Sequence, residues 1–217
     1  MSQRKLRAAC FDLDGTLIDT GPLHVQAEHL ALKTLGIPEP APDHPVTFGT
    51  GVMPGLETLA AHYGFDSAET VLNAYLPAWN SLFEDGLQQM PGADQVLQSM
   101  SAVGIPLALV TSGEDEYVDR VLARFDWANL FVERVTQESV SHLKPDPEPY
   151  LLAAEKLGIP AAECAGFEDS TSGLNALINA GFFSVMVGVE NEEADMSLAS
   201  LEELDAQLIE SLFDPAH

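Results

Sequence analysis

Seven side chains that can bind a cation or an anion stand at or soon after the ends of apolar segments. They are Asp12, Asp14, Thr111, Ser112, Lys144, Glu168 and Asp169. If these side chains meet, the carboxylates repel one another unless a cation compensates their charge, and a set of oxygen ligands favours a hard ion such as magnesium. The lysine and the threonine hydroxyl can donate hydrogen bonds to an anion. Phosphate satisfies both demands, because its oxygens bind magnesium and accept hydrogen bonds.

Apolar runs typical of buried strands precede these polar residues. The runs occupy residues 6–13, 105–110, 131–135, 164–167 and 182–189. Helical patterns lie between most of them, with stops at Gly104, Gly158 and Gly181. This alternation predicts an α/β fold with a doubly wound parallel sheet. Because the carboxyl ends of parallel strands border one crevice, we expect the polar residues to meet there.

The stretch between the first two predicted strands has a different pattern. Residues from about 17 to 87 show helical periodicity and no convincing strand, which predicts an inserted domain of three or four short helices. Residues 68–83 form one helical pattern that contains Pro77, where we expect a kink or a split. Turn-forming residues at 19–22 and 86–92 are candidate hinges.

Composition narrows the class of protein. The 217 residues include 34 acidic and 9 basic ones, a net charge of -25 that disfavours nucleic acid and anionic membranes as partners. A hydrophobic content of 46% is too high for a disordered acidic tail. No apolar run approaches the roughly 18 residues of a membrane-spanning helix, and no secretion signal is visible. Cys10 and Cys164 lie in apolar runs, so we expect isolated buried thiols and a cytoplasmic protein.

The segment F-D-L-D-G-T-L-I-D-T at 11–20 resembles the signature of the haloacid dehalogenase-like superfamily. L-V-T-S at 109–112, K-P-D-P at 144–147 and G-F-E-D-S at 166–170 resemble its remaining motifs, in order and at suitable spacing. The insertion resembles the helical (C1) cap of the β-phosphoglucomutase-like subgroup. The resemblance implies a Rossmann-like catalytic core formed by residues 1–16 and 88–217, with a helical cap formed by 17–87.

The resemblance also implies which carboxylates carry the chemistry. Asp12 matches the nucleophile that attacks phosphorus and becomes an aspartyl-phosphate. Asp14 matches the general acid and base, which protonates the leaving oxygen and then takes a proton from water. The implied Mg²⁺ ligands are the Asp12 carboxylate, the Asp14 backbone carbonyl and Asp169, with Glu168 assisting.

Three further residues match the phosphate binders of the superfamily. Thr111 and Lys144 would contribute their side chains, and Ser112 its backbone amide. His24 falls where β-phosphoglucomutases carry a histidine that contacts the active site from the cap, although a plain position on a helix surface is the alternative.

The combined interpretation is a magnesium-dependent phosphatase acting on a small phosphomonoester, with a sugar or polyol monophosphate as the expected substrate. We expect no nucleic-acid or membrane partner, and a monomer or weak homodimer. The first alternative is a β-phosphoglucomutase-like mutase. It is disfavoured because Lys33 is the only basic residue between 17 and 87, and Val52 stands near the position of an expected arginine.

Other activities fit the residues less well. Dehalogenases of the superfamily lack the second aspartate that Asp14 supplies, and phosphonate hydrolysis would need a cap lysine, for which Lys33 is the sole candidate. A catalytically silent protein that binds a metal or a phosphorylated metabolite is the alternative from another class. The intact set of Asp12, Asp14, Lys144 and Asp169 argues against lost chemistry.

Overall fold

The computed structural model of the protein describes residues 6–45, 47 and 52–214. The chain separates into two units. One is formed by Met1–Ile18 together with Gln89–His217, and the other by Asp19–Gln88. We call them the larger and the smaller unit. In the described ranges, no helix is both long enough and apolar enough to cross a membrane.

The strands, in chain order, are β1 (Ala8–Phe11), β2 (Ile18–Asp19), β3 (Gln88–Gln89), β4 (Leu107–Val110), β5 (Glu133–Val135), β6 (Cys164–Glu168), β7 (Phe183–Val187) and β8 (Met196–Leu198). The larger unit contains a six-stranded sheet in the order β5-β4-β1-β6-β7-β8, and every neighbouring pair is parallel. The short strands β2 and β3 pair with each other, and along the chain each contains the residue at which one unit ends and the other begins. All residues of β1, β4 and β6 are buried, which explains why β1, β4 and the first four residues of β6 read as uninterrupted apolar runs.

The helices are α1 (Gly21–Thr34), α2 (Val52–Tyr63), α3 (Ala68–Gly86), α4 (Ala93–Ala102), α5 (Asp115–Phe125), α6 (Glu148–Leu157), α7 (Thr171–Ala180) and α8 (Ala206–Leu212). Single-turn 3₁₀ helices occupy Gln137–Ser139, Ala161–Glu163 and Leu201–Glu203. The first three α-helices belong to the smaller unit. Gly158 and Gly181 adopt the left-handed conformation directly after α6 and α7, so the predicted helix stops coincide with these turns.

Two apolar layers flank the sheet. On one face, Cys10 and Val110 share a buried cluster with Tyr150 of α6 and Leu177 of α7. Along β1 the side chains alternate between the faces, so Phe11 points the other way from Cys10 and stacks on Phe167 of β6 with ring centroids 4.5 Å apart. Both Cys10 and Cys164 are buried free thiols.

The predicted fold class is confirmed, since each of the five predicted apolar runs overlaps a strand of the parallel sheet. The sequence-based prediction missed β8 and α8, and also the two-residue strands β2 and β3, the first of which lies in the stretch interpreted as having no strand. β8 reads M-S-L, is only partly buried and pairs with β7 alone at the sheet edge. A short edge strand of this kind lacks the continuous apolar run that burial on both faces imposes on a central strand.

The smaller unit contains one long helix, α3, at the position where the sequence predicts a helix that is kinked or split at Pro77. α3 is continuous through Pro77, so of the two expected outcomes, a kink or a split, the split does not occur. Its residues Tyr75, Trp79 and Phe83 are buried, whereas Pro77 is exposed. The carbonyl of Asn73, which loses its helical donor at the proline, belongs to an exposed residue, so water can bind it while the aromatic side chains keep the helix packed.

Candidate active site

The first polar pair lies at the carboxyl end of β1. Asp12 follows the last residue of this strand, is buried, and donates its backbone N–H to the Phe167 carbonyl of β6 over 3.0 Å. Gly15 then turns the chain with a φ of +88°, which a residue with a side chain rarely adopts. A Cβ on Gly15 would lie 2.1 Å from an Asp169 carboxylate oxygen. The glycine therefore allows the first motif and Asp169 to lie against each other.

The side chain of Lys144 contacts groups at the ends of three strands, β1, β4 and β6. Its ammonium nitrogen lies 2.6 Å from Asp12 Oδ1 and 2.6 Å from Glu168 Oε1, and it donates to the Val110 carbonyl of β4 over 2.8 Å. Burial alone would lower the pKa of Lys144, but the Asp12 and Glu168 carboxylates outweigh it and raise this pKa above its ordinary value. The lysine is therefore a permanent cation at the centre of the site.

Glu168, the last residue of β6, has several protein donors. Besides the contact with Lys144, its Oε1 accepts the Tyr150 hydroxyl over 2.6 Å, and its Oε2 accepts the Ser170 hydroxyl over 3.2 Å. A Cβ on Gly173 would lie 1.8 Å from the Glu168 carboxyl carbon, so the start of α7 packs directly on this group. These contacts hold Glu168 rigidly beside Lys144.

Asp12, Glu168 and Asp169 form a group of oxygen ligands that can hold a metal ion, because one ligand atom from each lies within 4.8 Å of the others. Burial and then Glu168 raise the pKa of Asp169 to about 6. Burial and Glu168 also raise the pKa of Asp12, and Lys144 counteracts the rise. Three carboxylates against one ammonium leave a negative charge, so an all-oxygen site of this kind fits a hard divalent cation.

The end of β4 supplies candidate anion donors. Thr111 is buried, and its Oγ1 accepts the Gly113 N–H over 3.0 Å, which leaves its own hydroxyl hydrogen to donate. Thr111 follows Val110, whose carbonyl accepts Lys144, so both candidate phosphate binders reach the same strand end. The side chain of Ser112 is exposed, in keeping with a contribution from its backbone.

Asp14 has a partner that the sequence reading missed. The hydroxyl of Tyr117, on the first turn of α5, donates to Asp14 Oδ1 over 2.5 Å. Tyr150, the hydroxyl donor to Glu168, was missed as well. The sequence indicates these two contacts only weakly. Both tyrosines belong to helices that follow a polar motif, but the direction of each side chain, which determines its partner, is known only from the structure.

His24 lies on α1 in the smaller unit. Its Nδ1 is 2.5 Å from the Tyr75 hydroxyl, and its ring stacks on Trp79 with centroids 4.2 Å apart and planes inclined by 21°. His24 thus belongs to an aromatic cluster with two residues of α3, whereas the other seven candidate residues lie in the larger unit.

A second group of metal-binding types surrounds the loop of Lys144. It comprises His142, Asp146 and Glu148. The two Glu148 oxygens accept the backbone N–H groups of Ser141 and His142, and Asp146 accepts the N–H of Glu148. These hydrogen bonds stabilise the loop that carries Lys144. This structural role explains why the three side chains lie together.

The family of the chain follows from comparison with known proteins. A model of haloacid dehalogenase-like hydrolases matches residues 6–181, so the chain belongs to this family and the resemblance noted in its motifs is confirmed. The chain is 32% identical to a phosphorylated carbohydrates phosphatase of Thermotoga maritima over 177 residues, which are 81% of this chain and 82% of that relative. It is 28% identical to hexitol phosphatase B of Escherichia coli K12, over 94% of this chain and 96% of that protein.

Structural comparison agrees with the subgroup. A crystal structure from Thermotoga maritima, described as that of a candidate β-phosphoglucomutase, superposes with a TM-score of 0.83 at 29% identity. The match covers 94% of this chain and 99% of the other. The protein is therefore a haloacid dehalogenase-like hydrolase of the β-phosphoglucomutase-like type.

Proposed function

We propose that the protein is a magnesium-dependent phosphatase that hydrolyses a small sugar or polyol monophosphate through an aspartyl-phosphate. The observation that carries this proposal is the buried contact of 2.6 Å between Lys144 and Asp12, beside Asp169. It combines a nucleophilic carboxylate, an anion-binding cation and oxygen ligands for a metal in one site. The names of the Thermotoga and Escherichia relatives, which act on phosphorylated carbohydrates and hexitols, support the substrate class.

The reaction begins with the substrate phosphate held by Lys144, the Thr111 hydroxyl and the Ser112 amide. An Asp12 oxygen bonds to phosphorus while the bond to the leaving sugar oxygen breaks, and Asp14 gives its proton to that oxygen. Asp14, now a carboxylate, takes a proton from a water whose oxygen bonds to phosphorus. The bond between phosphorus and Asp12 then breaks, which releases inorganic phosphate and restores the Asp12 carboxylate.

Magnesium, when bound, supplies positive charge that offsets the charge of the transferring phosphoryl group. The residues that would hold it are Asp12 and Asp169 through their carboxylates and Asp14 through its backbone carbonyl. Glu168 remains a candidate assisting ligand. Its contacts with Lys144, Tyr150 and Ser170 support a main role in holding the lysine in position.

We further propose that residues 1–16 and 88–217 are the catalytic domain and that 17–87 are a cap that selects the substrate. Lys33 is the only lysine or arginine in the cap sequence, and it is exposed. Between His24 and Lys33, α1 makes about two and a half turns, so the two residues lie on opposite faces of the helix. A cap face that presents His24 therefore lacks the lysine that would pair with a second phosphate, which favours a monophosphate with a neutral body.

The test is a screen of phosphomonoesters with Mg²⁺ that measures free phosphate, with an Asp12→Asn preparation as the blank. We expect sugar or polyol monophosphates to rank first, and bisphosphates and phosphorylated acids to be at least about tenfold poorer in kcat/KM. A bisphosphate or phosphorylated acid in first place would contradict the cap argument. Conversion of β-glucose 1-phosphate into an isomer without phosphate release would establish the mutase instead, and no turnover of any phosphomonoester would contradict the phosphatase.

A further inference from the structure

A hydroxyl from α5 meets the proposed acid and base. Tyr117 donates to Asp14 Oδ1 over 2.5 Å, although the two residues are 103 positions apart in the chain. Both side chains are partly buried. A carboxylate has two oxygens that are equivalent in solution, and a fixed donor on one of them makes them different.

The ring of Tyr117 packs against the backbone of Gly113. A Cβ on Gly113 would lie 2.8 Å from Tyr117 Cδ1, so a residue with a side chain at this position would push against the tyrosine. Gly113 also belongs to the loop that orients Thr111, since its N–H donates to the Thr111 hydroxyl oxygen. The ring of Tyr117 therefore packs on the same turn that presents a proposed phosphate binder.

The first turn of α5 is itself anchored to the neighbouring strand end. The Asp115 N–H donates to Glu138 over 3.2 Å, and an Asp115 carboxylate oxygen accepts the Thr136 hydroxyl over 2.8 Å. The Gln137 N–H donates to the Gly113 carbonyl over 3.0 Å. Because the helix start is held at several points, the Tyr117 hydroxyl reaches Asp14 from a fixed position.

We propose that Tyr117 is a positioning residue for the proton transfers of Asp14, an inference that rests on the proposed phosphatase function. Its hydroxyl holds Asp14 Oδ1, fixes the rotation of the carboxyl group, and directs the transferable proton to Oδ2. In the first step Asp14 gives that proton to the leaving oxygen, and in the second step Oδ2 takes a proton from water. Tyr117 keeps its own proton throughout.

The expected signature is a dependence on the leaving group. An alkyl phosphate needs protonation of its leaving oxygen, whereas the p-nitrophenolate of an aryl phosphate leaves without it. Loss of the Tyr117 hydroxyl should therefore lower kcat/KM, which reports the steps up to release of the leaving group, by about tenfold for an alkyl phosphate and by less than about threefold for p-nitrophenyl phosphate. Hydrolysis of the Asp12 phosphate is common to both substrates, so a slower second step lowers kcat and KM together and leaves kcat/KM unchanged.

The experiment compares wild type, Tyr117→Phe and Tyr63→Phe on a hexitol phosphate and on p-nitrophenyl phosphate, with thermal unfolding of each protein as a check of folding. Tyr63→Phe is the matched control, because it also removes one phenolic hydroxyl, from a residue of the smaller unit that bonds Ala41 and His44. Its kinetic constants should match those of wild type on both substrates. Gly113→Ala is a second variant, which displaces the Tyr117 ring and keeps its hydroxyl. Its Cβ would also lie 3.3 Å from Thr111 Oγ1, so only the ratio of the losses on the two substrates is compared, and we expect the larger loss on the alkyl phosphate.

A loss of kcat/KM that is selective for the alkyl phosphate supports the proposal. Equal losses of kcat/KM on the two substrates, or an unchanged kcat/KM for the alkyl phosphate, would overturn it while the phosphatase function stands. If Tyr117→Phe does not fold, the same comparison is made with Gly113→Ala, and the same outcomes decide. Absence of phosphate release by the wild type from every phosphomonoester would instead overturn the proposed function, and this inference with it.

Discussion

Lys144 and Asp12 form a buried ion pair in which the ammonium nitrogen lies 2.6 Å from the carboxylate oxygen, with 6% and 11% of their side chains exposed. The same ammonium contacts Glu168. The carboxylate of Glu168 also accepts the hydroxyl of Ser170, the residue before α7. Removing either member of such a pair leaves a charge in a poorly solvated place. The proposed nucleophile and the proposed anion binder therefore depend on each other for their charge states.

Asp12→Asn should abolish turnover while the protein stays folded. An amide is a poor nucleophile and a weaker metal ligand than a carboxylate, and it has nearly the same volume. The measurement is phosphate release together with thermal unfolding. Asp19→Asn, which changes an exposed carboxylate in the same sequence segment, is the matched control and should keep near-normal activity. Activity of Asp12→Asn within tenfold of wild type would contradict the role of Asp12.

Lys144→Met should lower kcat/KM by about 100-fold or more, because the phosphoryl group loses a buried cation. It also leaves the Asp12 and Glu168 carboxylates without their shared partner, so a lower unfolding temperature is expected. Lys156→Met is the control, since the ammonium of Lys156 donates to the carbonyl of the exposed residue Arg134, outside the candidate site. Equal activity of the two variants would rule out a special role for Lys144.

Removal of divalent ions with a chelator should stop phosphate release, and added Mg²⁺ should restore it. Ca²⁺ should restore it poorly, because this larger ion accepts looser coordination with more ligands. Asp169→Asn should raise the Mg²⁺ concentration needed for half-maximal rate, since it removes a proposed ligand charge. Full activity of the chelated enzyme would be incompatible with the mechanism.

The smaller unit should lose stability in mild acid through His44. The Tyr63 oxygen accepts the Ala41 N–H over 3.0 Å and lies 2.9 Å from His44 Nδ1. This arrangement fits a neutral His44 whose Nδ1 accepts the Tyr63 hydroxyl hydrogen. Burial first, and then the charges of His29 and His62, lower the pKa of His44 from its ordinary value.

The sign of the effect follows from proton counting. Below the unfolded pKa of about 6.5, the unfolded chain binds a proton at His44 more readily than the folded chain does, so the free energy of unfolding falls as the pH falls. Glu28, 3.9 Å from His44, has a raised pKa and acts in the opposite sense at lower pH, and Asp43 lies 3.7 Å from His62. The comparison is therefore between wild type and His44→Gln from pH 5 to 8. Parallel unfolding temperatures across this range would refute the assignment.

Much of the fold and of the site could be predicted from residue order. Strands β1, β4 and β6 are buried on both faces, and burial of that kind requires an unbroken apolar run, which is visible in any sequence. A polar residue that directly follows such a strand lies at the carboxyl edge of the sheet. This is why the positions of Asp12 and Thr111 at that edge were foreseeable, whereas the cytoplasmic location and the oligomeric state stay predictions.

The tertiary structure alone decided which donor meets which acceptor. Tyr117 and Asp14 are far apart in sequence, and their contact depends on where the start of α5 is anchored and on the space that Gly113 leaves. Glu168 likewise read as a metal ligand by its position, but its contacts with Lys144 and Tyr150 depend on packing against α6. Periodicity reports which face of an element is apolar, since burial acts on whole elements. A hydrogen bond depends on the direction of one side chain, which is set by neighbours distant in the chain.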